Sequence, residues 1–330
     1  MRRCFWIVPA IALLAANGWS QAAEPLKVGA FQVDVTPPLG APLCDALVPP
    51  ASEIVDPLSA RGVVILSDEP PIVLCAVDWV GIGNGGYDAW RKALAKAAGT
   101  IESRVAVHCL HQHDAPGCDF DAEVLLAARG LSGAVFHVAF AHEAIRRTAE
   151  AVKTATAKAQ PVTHVGFGVG RVEQVASNRR VMGPDGKVKY VRYSATKDEA
   201  IRAEPEGLID PDVRLVSFWD ADKPLVSITY YATHPQSYYG QGGVSADFPG
   251  LARSLREKAM PEIAHVHFNG AGGNVTAGKY NDGSKPRRGE LAERLAVGMK
   301  KAWDNTKKKP VTAADVEWRT VQVALPPSPG

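Results

Sequence analysis

The chain has 330 residues, 46% of them apolar and 22% charged, with a formal net charge of +2. That is the balance of a globular protein with a sizeable core. Without a basic stripe interleaved with aromatics, it excludes the electrostatic footprint of a nucleic-acid binder.

In chain order, the first feature is MRR, followed by the apolar run CFWIVPAIALLAANGW and the small residues of SQAAEP. A basic start, a greasy segment and small residues near Ala22 and Ala23 read as a secretory signal over residues 1–23, with residues 24–330 as one exported α/β domain. Pro9 interrupts the run and no later segment reaches ~18 continuous apolar residues, so no transmembrane segment is expected in the mature chain. Four cysteines then remain: Cys44, Cys75, Cys109 and Cys118. In an exported protein they can pair in three ways, a Cys109–Cys118 loop closure among them, and no C-x-x-C spacing suits zinc.

Residues 56–79 (DPLSARGVVILSDEPPIVLCAVDW) and 210–234 (DPDVRLVSFWDADKPLVSITYYATH) share one order: Asp-Pro, a β-branched run, a turn and a second apolar run. Each predicts a β-hairpin. The first is followed by a helical stretch, YDAWRKALAKAAG, and the strand RVAVHCL. The second is followed by FPGLARSLREKAM and the strand AHVHFN. A helix then precedes PVTHVGFGVGRV in one case and PVTAADVEWRTVQVAL in the other. Both halves read β-β-α-β-α-β, which predicts a pseudo-duplicated α/β fold of layered sheets covered by helices, with halves at about 56–173 and 210–326. The polar segment at about 174–209 is expected to be an excursion close to the site. The lysines at 307–309 read as a solvated helix end.

In open α/β sheets ligands sit beyond the carboxyl ends of strands. Four such ends carry polar residues: after Val77, after Leu110 (HQHDAPG), after Tyr231 (THPQSYYGQGGVSADFPG) and after Phe268 (NGAGGNVTAG). If the strand pattern continues past Leu110, His111 and His113 point one way and His108 the other. A lone His-x-His is weak evidence for a metal, but His234 stands at the equivalent strand end of the other half. Asp78, Asp114 and Asp247, on the same loops, are candidates to ligate or to orient an imidazole. His142 falls on an apolar helical stripe and reads as packing, while His265 and His267 read as hydrogen-bonded strand residues. The glycine-rich NGAGGN lacks the lysine and the spacing of a phosphate cradle.

Taken together, VGAFQVDVTPPLG (28–40), HQHDAPG (111–117), SNRR (177–180), ATHPQS (232–237) and FNGAGGNVTAG (268–278) resemble the catalytic N-terminal region of the neutral, non-lysosomal ceramidases, in the family's order. The resemblance implies a zinc-dependent amidohydrolase acting on N-acyl lipids such as ceramide. It makes His111 and His234 zinc ligands, places His113 and Arg179 beside the reacting amide, and puts Thr276 where the family has a catalytic serine. The family's remaining ligands, a glutamate and a tyrosine, come from a later part of its chain that this sequence does not contain. A full site is therefore expected to need a local carboxylate such as Asp247, a partner chain or further sequence. Asn274 stands where the family has aspartate, and Asp114 where it has serine. Two rival readings remain open: a catalytically silent relative that binds a lipid or glycan in the same cleft, and an esterase or other metal hydrolase on the same scaffold.

Overall fold

The computed structural model describes residues 25–324 and residue 326, so the expected leader lies outside the described residues. Two five-stranded sheets organise the chain. The first contains β1 (Lys27–Asp34), β2 (Ser59–Leu66), β3 (Ile72–Val77), β4 (Val105–Cys109) and β5 (Gln160–Pro161), in the order β4-β3-β2-β1-β5. The second contains β6 (His164–Arg171), β7 (Asp212–Asp220), β8 (Lys223–Tyr231), β9 (Ala264–Asn269) and β10 (Lys307–Pro310), in the order β9-β8-β7-β6-β10. Within each sheet one pair is parallel, β3 with β4 and β8 with β9, and the other pairs are antiparallel.

Alternation along the strands assigns each side chain to a layer. Ala60 and Val64 of β2, with Val73, Cys75 and Val77 of β3, face α1 (Asn84–Ala98) and α3 (Val138–Ala157). Val213 and Leu215 of β7 and Tyr231 of β8 face α5 (Asp247–Ala259) and α6 (Lys285–Asp304). The opposite faces meet: Val28, Val63, Ile65 and Leu110 pack against Phe218, Val226 and Val266. The result is helix, sheet, sheet, helix, the layered α/β architecture that the two hairpins predict. Two shorter helices, α2 (Phe120–Ala127) and α4 (Glu199–Ala203), lie in connections. No helix among the described residues is long and apolar enough to cross a membrane.

Three expectations change. The strand at 164–171 does not close the first half; it opens the second sheet, paired with β7 and β10. Its alternating Gly166, Gly168 and Gly170 face α6, where a Cβ would collide with the backbone of Gly298 and Ala302 or with the side chains of Ser217 and Thr306. The equivalent opening strand of the first sheet is β1, whose Gly29 faces the carbonyl of Ala155 on α3 in the same way. Lys307–Lys309 form edge strand β10 instead of a helix end, and their exposed charges guard an edge against further pairing. All four cysteines are free: Cys118 packs against Gly86 of α1, and burial raises its thiol to about 12.

The histidines outside the strand ends have local roles. His142 is exposed, so it is no core residue, but it stacks on Phe120 at 4.3 Å and ties α3 to α2. His137 accepts from Phe140 N at the start of α3, and His164 contacts the Thr163 hydroxyl. His265 contacts the Met260 carbonyl. His267 is fully buried, with Nδ1 on the Thr229 hydroxyl and no partner at Nε2, and burial pushes its pKa down to about 3.

The lowered His267 value has a defined consequence for stability. Because the unfolded chain takes the proton first, stability is full above the unfolded pKa of ~6.5 and erodes as pH falls from there towards the folded value. Between pH 7 and pH 5 this one group removes about 2 kcal/mol. Urea unfolding at both pH values is expected to show His267→Gln with a pH dependence smaller than wild type by about that amount.

Candidate metal centre

The parallel pairs bring four strand ends to one rim, β3 running into Asp78–Val80 and β4 into His111, β8 into His234 and β9 into Gly270–Gly273. At that rim His111, His113 and His234 converge, with candidate ligand atoms all within 4.8 Å of one another. Their ring centroids are 4.9, 4.8 and 5.0 Å apart. Residues from both halves therefore meet in one cluster that could hold a metal ion.

The pleat does not deliver this geometry. β4 ends at Cys109, and His111 sits in the left-handed region with φ of 70°. Its amide donates to Trp79 O, while Gln112 turns inward and donates to Asp78. That inward anchor leaves the flanking histidines pointing to the cluster. Asp45, in a run of three left-handed residues at 44–46, lies close enough for its charge to feel His111.

Proton positions follow from the hydrogen bonds. His111 Nδ1 is 2.6 Å from the Val80 carbonyl, which can only accept, so Nδ1 carries the proton and Nε2 presents a lone pair. The backbone of Gly272 contacts the His234 ring in the sense that strengthens its hold on a proton. His234 Nε2 faces His113 Nε2 at 3.0 Å. His111 is thus oriented to offer Nε2 to a cation, its Nδ1–H held by a carbonyl as in metal-bound histidines. Burial, with the neighbouring positive groups, pushes His234 down to about 3 and His113 to about 4, so neither ring is charged at neutral pH.

Gly270 and Gly272 explain the glycine-rich segment without a phosphate. A Cβ at Gly270 would press on Ala232, and one at Gly272 on the Thr233 carbonyl and His234 N. The segment lies flat against the backbone that carries His234, and Val275 O accepts from His234 N at 2.8 Å.

Arg179 joins the cluster: it lines a cleft of about 460 Å³ with His113, its charge lowers the proton affinity of His113 and His234, and its buried Nε has no partner. The excursion at 174–209 supplies further wall residues, Tyr193 and Ser194, and Tyr239 sets its ring edge-on to His113 at 5.0 Å. Arg192 braces this excursion from inside, donating to the carbonyls of Asn178, Glu204, Pro205 and Glu206.

Asp247 and Thr276 do not join the cluster. The Asp247 carboxylate accepts from Ser237 N and Phe248 N and pairs with Arg288 at 3.4 Å, so it is a tether within the rim. Thr276 is fully buried; its hydroxyl donates to Tyr193 O and accepts from Gly278 N, and neither partner is a base. Asp78 and Asp114 touch no imidazole. Asp78 takes both terminal nitrogens of Arg253 together with Ser59, and Asp114 takes Gly240 N and Arg288. Trp79 and Phe248 are buried in the two helix-facing cores.

The sequence reading missed Arg253, Arg288, Gln236 and Ser194. Arg288 shares the α6 stripe of Leu291, Ala292, Leu295 and Met299, and a charge on an apolar stripe is the signal of a buried ion pair. Gln236 and Ser194 carried no such signal.

Comparison with solved structures shows the fold. The chain is similar to a ceramidase complexed with C2, with 17% identity and a TM-score of 0.62 over 85% of this chain. It is similar in the same measure to neutral ceramidase from Pseudomonas aeruginosa, with 18% identity and a TM-score of 0.62. The chain spans less than half of those proteins, 44% and 45%. No family model and no curated protein matches the sequence. The fold is ceramidase-like.

Arg288 ties the loops of both halves: it reaches Asp114, Asp247, Ser237 Oγ and Tyr238 O and stacks on the Tyr238 ring at 3.8 Å. Removing one partner of a buried pair leaves uncompensated charge, which costs about 3–5 kcal/mol. Arg288→Ala is expected to lose that much stability in urea unfolding, whereas exposed Arg146→Ala, whose pair with Glu143 is on the surface, is expected to change little.

Proposed function

We propose that the chain is the metal-binding catalytic part of a zinc-dependent hydrolase that cleaves amide bonds, exported from the cell, with N-acyl lipids of the ceramide type as the substrate class. The observation that carries this reading is the meeting of His111 and His234 from opposite halves, with the His111 Nδ1–H held by a carbonyl and candidate ligand atoms of the cluster within 4.8 Å of one another. Two imidazole nitrogens, with His113 and Arg179 alongside, suit a borderline-soft ion that keeps open positions for substrate. The ceramidase-like fold supports the same chemistry by analogy.

His111 and His234 would hold the ion. When bound, zinc supplies a Lewis acid and lowers the pKa of water towards neutrality. The chain's own groups act on the rest of the substrate. Arg179, with an unpartnered Nε beside the histidines, is placed to donate to negative charge that grows on an amide oxygen. His113 presents an N–H into the same space. Tyr193, Tyr238 and Tyr239 wall the cleft with rings that carry polar edges, which suits the headgroup end of an N-acyl lipid. With the Thr276 hydroxyl held in two structural bonds, the attacking group in this reading is water.

The engaged Thr276 also favours a second reading, a silent relative that binds a lipid or glycan in the cleft without cleaving it. One experiment separates the two. Wild type, His111→Ala and His234→Ala are purified, assayed for metal content, and tested on a fluorogenic N-acyl substrate with and without chelator. The hydrolase predicts about one zinc per chain, lost in both variants. It also predicts cleavage that stops on chelation and returns with zinc, and a fall of ~10²–10³-fold in kcat for Arg179→Ala. Stoichiometric zinc without cleavage, or absence of zinc from wild type, contradicts the hydrolase and favours the binding module.

A further inference from the structure

Three imidazoles in van der Waals reach of one another invite the reading of a three-histidine metal site, yet the protons do not distribute that way. His111 commits Nδ1–H to the Val80 carbonyl. The 3.0 Å contact between His113 Nε2 and His234 Nε2 needs one proton between the two nitrogens. What touches His113 Nδ1 decides which ring carries it. The Gln236 amide nitrogen lies 3.0 Å from His113 Nδ1 and can only donate, so Nδ1 accepts. A neutral imidazole carries a single N–H, so the shared proton belongs to His113 Nε2, and His234 Nε2 accepts it, which leaves the His234 proton at Nδ1. The Gln236 carbonyl oxygen in turn receives the Ser194 hydroxyl. Ser194, at the end of the excursion, is held by Asn281, which donates to its carbonyl and to that of Ser237. The chain of donors therefore runs in one direction: Ser194 O–H to Gln236, Gln236 N–H to His113 Nδ1, His113 Nε2–H to His234 Nε2.

We propose that Gln236, oriented by Ser194, is a positioning residue that fixes His113 as the Nε2–H tautomer. His113 is thereby a hydrogen-bond donor to the substrate oxygen beside His111 and His234, and is withheld from acting as a third metal ligand. This rests on the metal-site reading above for its functional meaning, but the tautomer itself is a property of the metal-free chain. When the His234 lone pair turns to a cation, the His113 N–H loses its acceptor and becomes available to the substrate. A glutamine at position 236 matters because its amide has both a donor for Nδ1 and an acceptor for Ser194. A carboxylate there would accept from Nδ1–H, reverse the tautomer and bare Nε2 towards the ion.

The test uses full-length, metal-free, 15N-labelled protein at pH 7.5. Long-range 1H–15N correlations report the tautomer of each histidine, with His113 assigned by comparison with His113→Gln. The expected result is Nε2–H for His113 and Nδ1–H for His111 and His234. Gln236→Glu is expected to switch His113 to Nδ1–H and, in a competition titration with zinc alone, to tighten zinc binding by about 10–100-fold. Ser194→Ala, which removes one hydroxyl and keeps the backbone bonds, is expected to broaden or split the His113 signals without a change in unfolding midpoint. It guards against a Gln236→Glu variant that fails to fold. Nδ1–H on His113 in wild type, or no response of tautomer and zinc affinity to Gln236→Glu, would overturn the proposal. Because the tautomer is read without metal or substrate, a correct tautomer with no amide cleavage sinks the hydrolase alone. Zinc-dependent cleavage with the opposite tautomer sinks only the role of Gln236.

Discussion

Two buried arginines hold the rim together, and the geometry of the site depends on them. Arg253, on α5, grips Asp78 at the end of β3 with both terminal nitrogens, at 3.0 and 2.7 Å, and the same aspartate anchors Gln112 between the two histidines of the first half. Arg288, on α6, grips Asp114 just past those histidines and Asp247 and Ser237 in the second half. Each guanidinium leaves a helix of one half to fix a loop of the other. A buried pair of this kind adds little net stability compared with well-packed apolar residues, but it is strongly directional and tolerates no missing partner. Burial lifts the carboxyls of Asp56, Asp114 and Asp247 above their ordinary range even with Arg288 nearby.

The three histidines are chemically distinct although they look alike in sequence. Val80 O makes His111 a base towards the cluster, Gln236 makes His113 a donor, and His234 Nε2 accepts from it. The difference comes from what touches the ring nitrogens: a backbone carbonyl at His111, a side-chain amide at His113 and a neighbouring imidazole at His234. Local glycines make the backbone contacts possible, since only a residue without Cβ lets the Gly272 strand lie against Thr233 and His234.

Periodicity made the hairpins and the long helices legible, because alternating apolar residues in β2, β3, β7 and β8 face two distinct cores. It failed at β6, where glycines alternate in place of apolar residues and carry no sign of which sheet they join, and at β10, whose lysines resemble a helix end. The pairing of His111 with His234 was legible from their equivalent strand ends. The reason assumed for His111 and His113, a continuing pleat, is replaced by a left-handed turn at His111. Asp247 and Thr276 stand outside the cluster because a polar side chain on a loop can be occupied by backbone partners distant in sequence, such as Ser237 N and Tyr193 O, which no local pattern reveals.

The central claim is that imidazoles from the two halves share one ion while the third ring stays outside its coordination sphere. X-ray absorption fine structure at the zinc edge, on protein loaded with one equivalent, counts the imidazoles directly. The account predicts two histidines per zinc at ~2.0–2.1 Å, completed by oxygen. Three histidines, or none, would contradict it.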